Sequence, residues 1–79
     1  MIMKGKLVSR NSDFYEGRVE FKKRWGQGIF YKMKDNIIVE IQEGMFENDK
    51  HQEKFKITIP NESIFYADFK DSEMIRKYD

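Results

Sequence analysis

His51 is the only histidine in the chain, and there is no cysteine. Nucleophilic catalysis would therefore fall to the four serines, Ser9, Ser12, Ser63 and Ser72. A general base must be held within hydrogen-bond reach of its target, and the polar stretch Asn48-Asp49-Lys50-His51-Gln52 reads as a loop, which holds a base poorly. None of the serines lies in a nucleophile elbow or a triad motif. Ser63 reads as a turn residue and Ser72 as a helix cap, so the chain is expected to be non-catalytic. Glu43, Glu47, Asp49 and Glu53 surround His51 with hard oxygens, but they lack the Asp-x-Asp-x-Asp-Gly spacing of a calcium loop. A solvated acidic loop is the expectation, with no metal and no cofactor. Gly26-Gln27-Gly28 has neither the third glycine nor the following helix that a dinucleotide phosphate site needs. It reads as a turn.

Binding chemistry is better represented. Lys22-Lys23-Arg24-Trp25 places three cations beside the only tryptophan, with Phe21 just before them. Cations neutralise phosphates and aromatic faces stack on bases, so this run is a candidate nucleic-acid contact. Charge is also split along the chain. Residues 1–34 carry nine Lys/Arg and three Asp/Glu, a net of +6, whereas residues 35–79 carry six and eleven, a net of −5. The whole is nearly neutral at +1, unlike a strongly basic nucleic-acid domain. Large apolar groups outnumber what so small a core hides, and aromatic and Met side chains anchor protein interfaces. Phe30 and Ile38 fall on the side that alternation assigns to solvent, which makes them a candidate partner or homodimer patch. Met45, Phe46, Glu47 and Asp49 extend the candidate partner-binding surface into the acidic loop 47–53.

The elements that must position these groups follow from composition. The chain has one Ala and one Leu, against nine Ile, three Val, seven Phe and four Tyr. β-Branched and aromatic side chains suit a pleated, half-buried surface better than a helix. Tyr15, Gly17, Val19 and Phe21 alternate with Glu16, Arg18, Glu20 and Lys22. The same period of two runs through residues 28–34, 37–42 and 54–59. Ile29, Tyr31 and Met33 are expected to continue the dry face. Asp35-Asn36 reads as a tight turn, Gly44 as a bulge and Pro60-Asn61-Glu62-Ser63 as a second turn. The tail from Asp71 reads as a short helix, capped by Asp71 or Ser72 with Arg76-Lys77 near its negative end.

At 79 residues the chain is expected to be one domain (1–79): five or six curved antiparallel strands forming a small β-barrel of SH3-like or OB-like type, with a C-terminal helix. The longest apolar run, Ile37-Ile38-Val39, is far too short to cross a bilayer, and residues 1–6 hold no apolar signal region, so a cytoplasmic protein is expected.

Two resemblances bear on this expectation. Ile59-Pro60-Asn61-Glu62-Ser63-Ile64-Phe65-Tyr66 resembles the barrel-closing end of SH3-like and Sm-like folds, and Tyr15-Glu16-Gly17-Arg18-Val19 is similar to their bent second strand. The characteristic RNA-binding residues of the Sm family are not present. Tyr15-Glu16-Gly17 followed by Gly26-Gln27-Gly28 is similar to a MORN repeat, with Glu43-Gly44-Met45-Phe46 opening a second unit 27 residues on. The expected function is a binding module that docks on a protein partner as adaptor, regulator or inhibitor, of a kind that would suit a phage or mobile element. The alternative is a nucleic-acid-binding barrel using Lys22, Lys23, Arg24 and Trp25.

Overall fold

The computed structural model describes residues 3–8 and 12–78. It contains seven strands: β1 (Met3–Val8), β2 (Phe14–Glu20), β3 (Lys23–Lys34), β4 (Ile37–Glu47), β5 (Lys50–Ile59), β6 (Ser63–Lys70) and β7 (Glu73–Tyr78). They form one antiparallel sheet in which every strand pairs with its neighbours in the chain. Among the described residues β1 and β7 pair with nothing on their outer edges, so the sheet is open and the expected barrel is corrected. The segment from Ile59 to Tyr66 makes its turn and enters β6, which pairs with β5 and β7 rather than closing a barrel. The expected C-terminal helix is a strand. Asp71 and Ser72 both have positive φ and form the tip of a hairpin, for which the same residue types serve as well as they would for a cap.

Local chemistry explains most of the turns. Two-residue hairpin tips need φ > 0 at both positions, which Asn, Asp and Gly tolerate best. Asp35-Asn36, Asn48-Asp49 and Asp71-Ser72 meet that need. The β5–β6 turn has Pro60 followed by Asn61 at φ 63°, closed by the Glu62 N–H donating to the Ile59 carbonyl at 3.0 Å. Phe21-Lys22 is the exception. Both residues are left-handed, at φ 52° and 61°, and neither is a usual choice there. A non-glycine residue in that region costs about 1–2 kcal/mol. Replacing Phe21-Lys22 by Asn-Gly is therefore expected to raise stability by about 1 kcal/mol, read as a higher urea midpoint with an unchanged slope.

The core is one face of the sheet. Gly5, Gly17, Gly28 and Gly44 pair successively and form a glycine row across β1–β4. This row brings together the Tyr-Glu-Gly and Gly-x-Gly elements, because Gly17 lies opposite Gly28. The expected turn at Gly26-Gln27-Gly28 is thus corrected to the interior of β3. Without side chains the row is a trough, and two rings lie in it: Tyr15 over Gly28 and Phe55 over Gly44. The ring comes from the first strand in one hairpin and from the second strand in the next. Tyr15, Phe46 and Phe55 pack edge to face at 5.2 and 5.1 Å, and Phe69 follows at 5.3 Å. Ile57 and Ala67 complete the buried set. Edge-to-face rings add to their area burial, and this chain of rings lets an open sheet bury Phe55 completely.

Alternation is interrupted where the register shifts, as between Ile38 and Glu40 in β4, and its parity does not carry across turns. The tip at Phe21-Lys22 pairs Val19 with Arg24, which puts even-numbered β3 residues on the face of odd-numbered β2 residues. Phe30 therefore lies opposite Tyr15 and packs against the core, instead of facing solvent. Ile29, Tyr31 and Met33 belong to the other face, where Phe14 and Tyr31 stack at 4.5 Å. The register shifts at Lys32/Met33, where β4 carries an extra residue, and again opposite Gly44, where the extra residues lie in β5 around Glu53 at φ 65° rather than at the glycine itself.

Candidate functional site

Arg24 and His51 hold corresponding places at the start of the second strand in successive hairpins, and each grips the tip of the next hairpin. The Arg24 Nε donates to Asp49 Oδ1 at 2.7 Å, its Nη2 to the Asp49 carbonyl at 2.6 Å, and its backbone N–H to Asp49 Oδ1 at 3.2 Å. Asp49 returns a backbone N–H to the Arg24 carbonyl at 2.9 Å. One hairpin on, the His51 N–H donates to Ser72 Oγ at 2.9 Å, and the Ser72 N–H donates to the His51 carbonyl at 3.0 Å. Ser72 Oγ also lies 2.9 Å from His51 Nδ1. A serine beside a histidine has the reach of a nucleophile and its base. Here the same tie recurs with an arginine and an aspartate, which marks it as a link between hairpins.

The sequence expectation for His51 is corrected. It sits in β5, not in a loop, and Asn48-Asp49 alone form the turn. Its ring packs at 4.9 Å from both Phe46 and Phe55 and at 5.2 Å from Phe69. Its Nε2 lies 2.5 Å from Gln42 Oε1, and Gln42 Nε2 donates to Glu40. That chain of partners is satisfied by a neutral imidazole with its proton on Nε2. Burial, with the Arg24 charge adding and Asp49 opposing, pulls the His51 pKa from 6.5 to about 4. Among the described residues no three His, Cys, Asp or Glu side chains come together as metal ligands.

Over the same face runs a groove of about 570 Å³. Tyr15, Phe30 and Val8 give it apolar walls, and Gln42 and His51 add polar ones. Lys22, at the β2–β3 tip, and Lys32, in β3 opposite Glu40, also line it, together with buried Asp13. Arg24 also lines the groove, lying 4.7 Å over the Phe46 ring and 5.3 Å over Phe30, but its charge is matched by Asp49. The Asp49 carboxyl is desolvated, which would raise its pKa, yet hydrogen bonds from Arg24 and its charge hold it below the usual value.

Of the residues singled out by sequence, Lys22 and Lys23 are exposed, Trp25 is half-buried and Arg24 is engaged in its tie. Phe46 is 2% exposed and belongs to the core, so its expected part in a partner surface is corrected. Phe30 and Ile38 do not meet: Phe30 pairs with Gln42 and Ile38 with Met33. Met45 and Glu47 are exposed, and Met45 lies over the opposite face with Tyr66, Lys54 and Lys56. Lys32 was missed. Its signal was the even parity it shares with Phe30, visible only once the turn at Phe21-Lys22 is known.

The strand order decides what the charge split means. In a barrel the two halves of the chain would interleave. In this meander β1–β3 occupy one side of the sheet and β4–β7 the other, so the split in sequence is a split in space. Compared with known proteins, the chain matches no family model and no curated protein. Its fold is an open all-β hairpin sheet, with a groove of aromatic and charged lining that reaches from β1–β3 onto β4 and β5.

Proposed function

We propose that the protein is a non-catalytic docking module, an adaptor, regulator or inhibitor that seats an anionic macromolecular partner on the grooved face of β1–β3. The observation that carries this reading is the charge split: residues 1–34 have a net charge of +6 and supply most of the groove's lining, Lys22, Arg24 and Lys32 among it. Fields of one sign over a cleft concentrate and steer ligands of the other sign. The Arg24–Asp49 tie cancels itself locally, and the other ionisable groups on the groove besides His51 and Tyr15 are Lys22, Lys32 and buried Asp13.

Retention on an immobilised polyanion tests the reading. Lys22→Gln/Lys32→Gln is expected to elute at clearly lower salt than the wild type. Lys54→Gln/Lys56→Gln, equal in charge change but on the opposite face, is expected to elute between the wild type and the groove variant, close to the wild type. Equal elution of the two double variants would overturn the placement of the site, and no retention of the wild type at low salt would overturn the function.

A further inference from the structure

One hairpin tip is built from the wrong residues for a tip. Phe21 is 82% exposed and left-handed at φ 52°, next to Lys22 at φ 61°. The other two-residue tips among the described residues are Asp35-Asn36, Asn48-Asp49 and Asp71-Ser72, all short and polar. Phe21 therefore violates two preferences at once, conformational and hydrophobic. Backbone strain of this kind is concentrated where a site needs it.

The surroundings say what the ring would meet. Lys22 and Lys23 follow it and are exposed, and Glu20, opposite Lys23, precedes it. Lys22 lines the groove together with Phe30, Tyr15 and Lys32. The surface thus offers a protruding ring, cations beside it, and a groove with aromatic side chains and another cation in its lining. An acidic peptide would answer the lysines but leave the Phe21 ring without a flat partner. A duplex would answer the lysines too, yet its base faces are hidden in the stack. A single strand supplies both anionic groups and open π-faces.

We propose that the groove binds single-stranded nucleic acid, with Phe21 stacking on a base at the hairpin tip and Lys22, Lys23 and Lys32 contacting phosphates. The proposal rests on the docking reading above and names its partner.

Fluorescence anisotropy on the whole chain tests it, with a short oligo-dT, the matching duplex and poly-glutamate as probes. The oligo-dT is expected to bind with a slope of log K against log salt of about −2, since each phosphate contact on a single strand contributes about 0.7. Lys22→Gln is expected to reduce that slope by about 0.7. Phe21→Asn is expected to weaken oligo-dT binding by about tenfold while raising the thermal midpoint. Phe21→Trp is expected to retain the affinity. Because Phe21→Asn relieves strain, weaker binding cannot be ascribed to unfolding. If Phe21→Asn binds oligo-dT as tightly as the wild type, or the duplex binds more tightly than the single strand, the stacking proposal is overturned. If poly-glutamate binds best and ignores Phe21, docking survives and the nucleic-acid partner does not. If no probe binds at low salt, both readings fall.

Discussion

Gly28→Ala is expected to destabilise the protein by about 3 kcal/mol or more, enough to leave much of it unfolded in mild urea. A Cβ at position 28 would sit 2.1 Å from the Tyr15 hydroxyl oxygen and 2.3 to 2.4 Å from two ring carbons. The ring has little room to retreat. It is 1% exposed, its edge meets Phe46, and its hydroxyl donates to the Arg18 carbonyl at 2.8 Å. Overpacking of a filled core typically costs about 1–3 kcal/mol, and a lost hydrogen bond on a buried group adds about 1 kcal/mol. A chain of 79 residues has a total stability of only about 4–12 kcal/mol. Gly5 provides the internal comparison, because it belongs to the same row. Its nearest neighbour would be a Val19 methyl at 3.3 Å, so Gly5→Ala is expected to cost less than about 1 kcal/mol. Urea denaturation of both variants separates a trough that must stay empty from a mere preference for small residues. Trimming Tyr15 to Leu should return part of the loss at position 28, since sites in contact do not add. A Gly28→Ala variant within about 0.5 kcal/mol of the wild type would show that the Tyr15 phenol does not occupy the row.

The glycine row also shows where reading the sequence stops. Strand composition and period two were legible because each depends on residues close together in the chain. So were Asp35-Asn36 and the Pro60 turn, whose side chains carry their own backbone preferences. Gly26-Gln27-Gly28 misled for the same reason: glycine is permissive at a turn, but here it makes room for a ring contributed by another strand. Phe21-Lys22 could not be recognised as a tip, since neither residue favours left-handed backbone. That single omission inverted the facing of β3, sent Phe30 to the wrong side and hid Lys32. Asp71-Ser72 presented the opposite difficulty. The pair is equally apt for a helix cap and a hairpin tip, and only pairing with β6 distinguishes them. The charge split was plain in the sequence, but its meaning depended on strand order, which composition does not encode. Of the candidate site, the lysines at 22 and 23 were legible as chemistry, whereas the groove that Lys22 and Lys32 line is a product of register.

Acid is expected to weaken the fold in two stages, with His51 responsible for the first. The folded pKa of about 4 lies below the unfolded value near 6.5, so between these limits the unfolded chain binds the extra proton. Stability contributed by the neutral ring is therefore complete above pH 6.5, falls as pH drops toward 4, and changes no further below that from this group. The shift corresponds to roughly 2–3 kcal/mol after allowance for the partly exposed ring. The groups facing the imidazole explain the direction. Phe46, Phe55 and Phe69 exclude water, Arg24 repels a second positive charge, and Gln42 Oε1 accepts a hydrogen bond from Nε2–H while Ser72 Oγ adjoins Nδ1. Only Asp49 favours protonation, and its carboxylate is already held by Arg24. The second stage belongs to Asp49. Its folded pKa is below 3.8, so its contribution is present above that value and is lost as pH falls through the depressed one. Urea midpoints measured from pH 7.5 to 3 should fall first between about 6.5 and 4. His51→Gln is expected to remove that first decline while leaving the later one, whatever its effect on stability at neutral pH. An NMR titration placing the His51 pKa near 6.5 would refute this account. It would also mean that the ring is not packed among the three phenylalanines, and the tie from β5 to the Asp71-Ser72 tip would have to be held by the backbone alone.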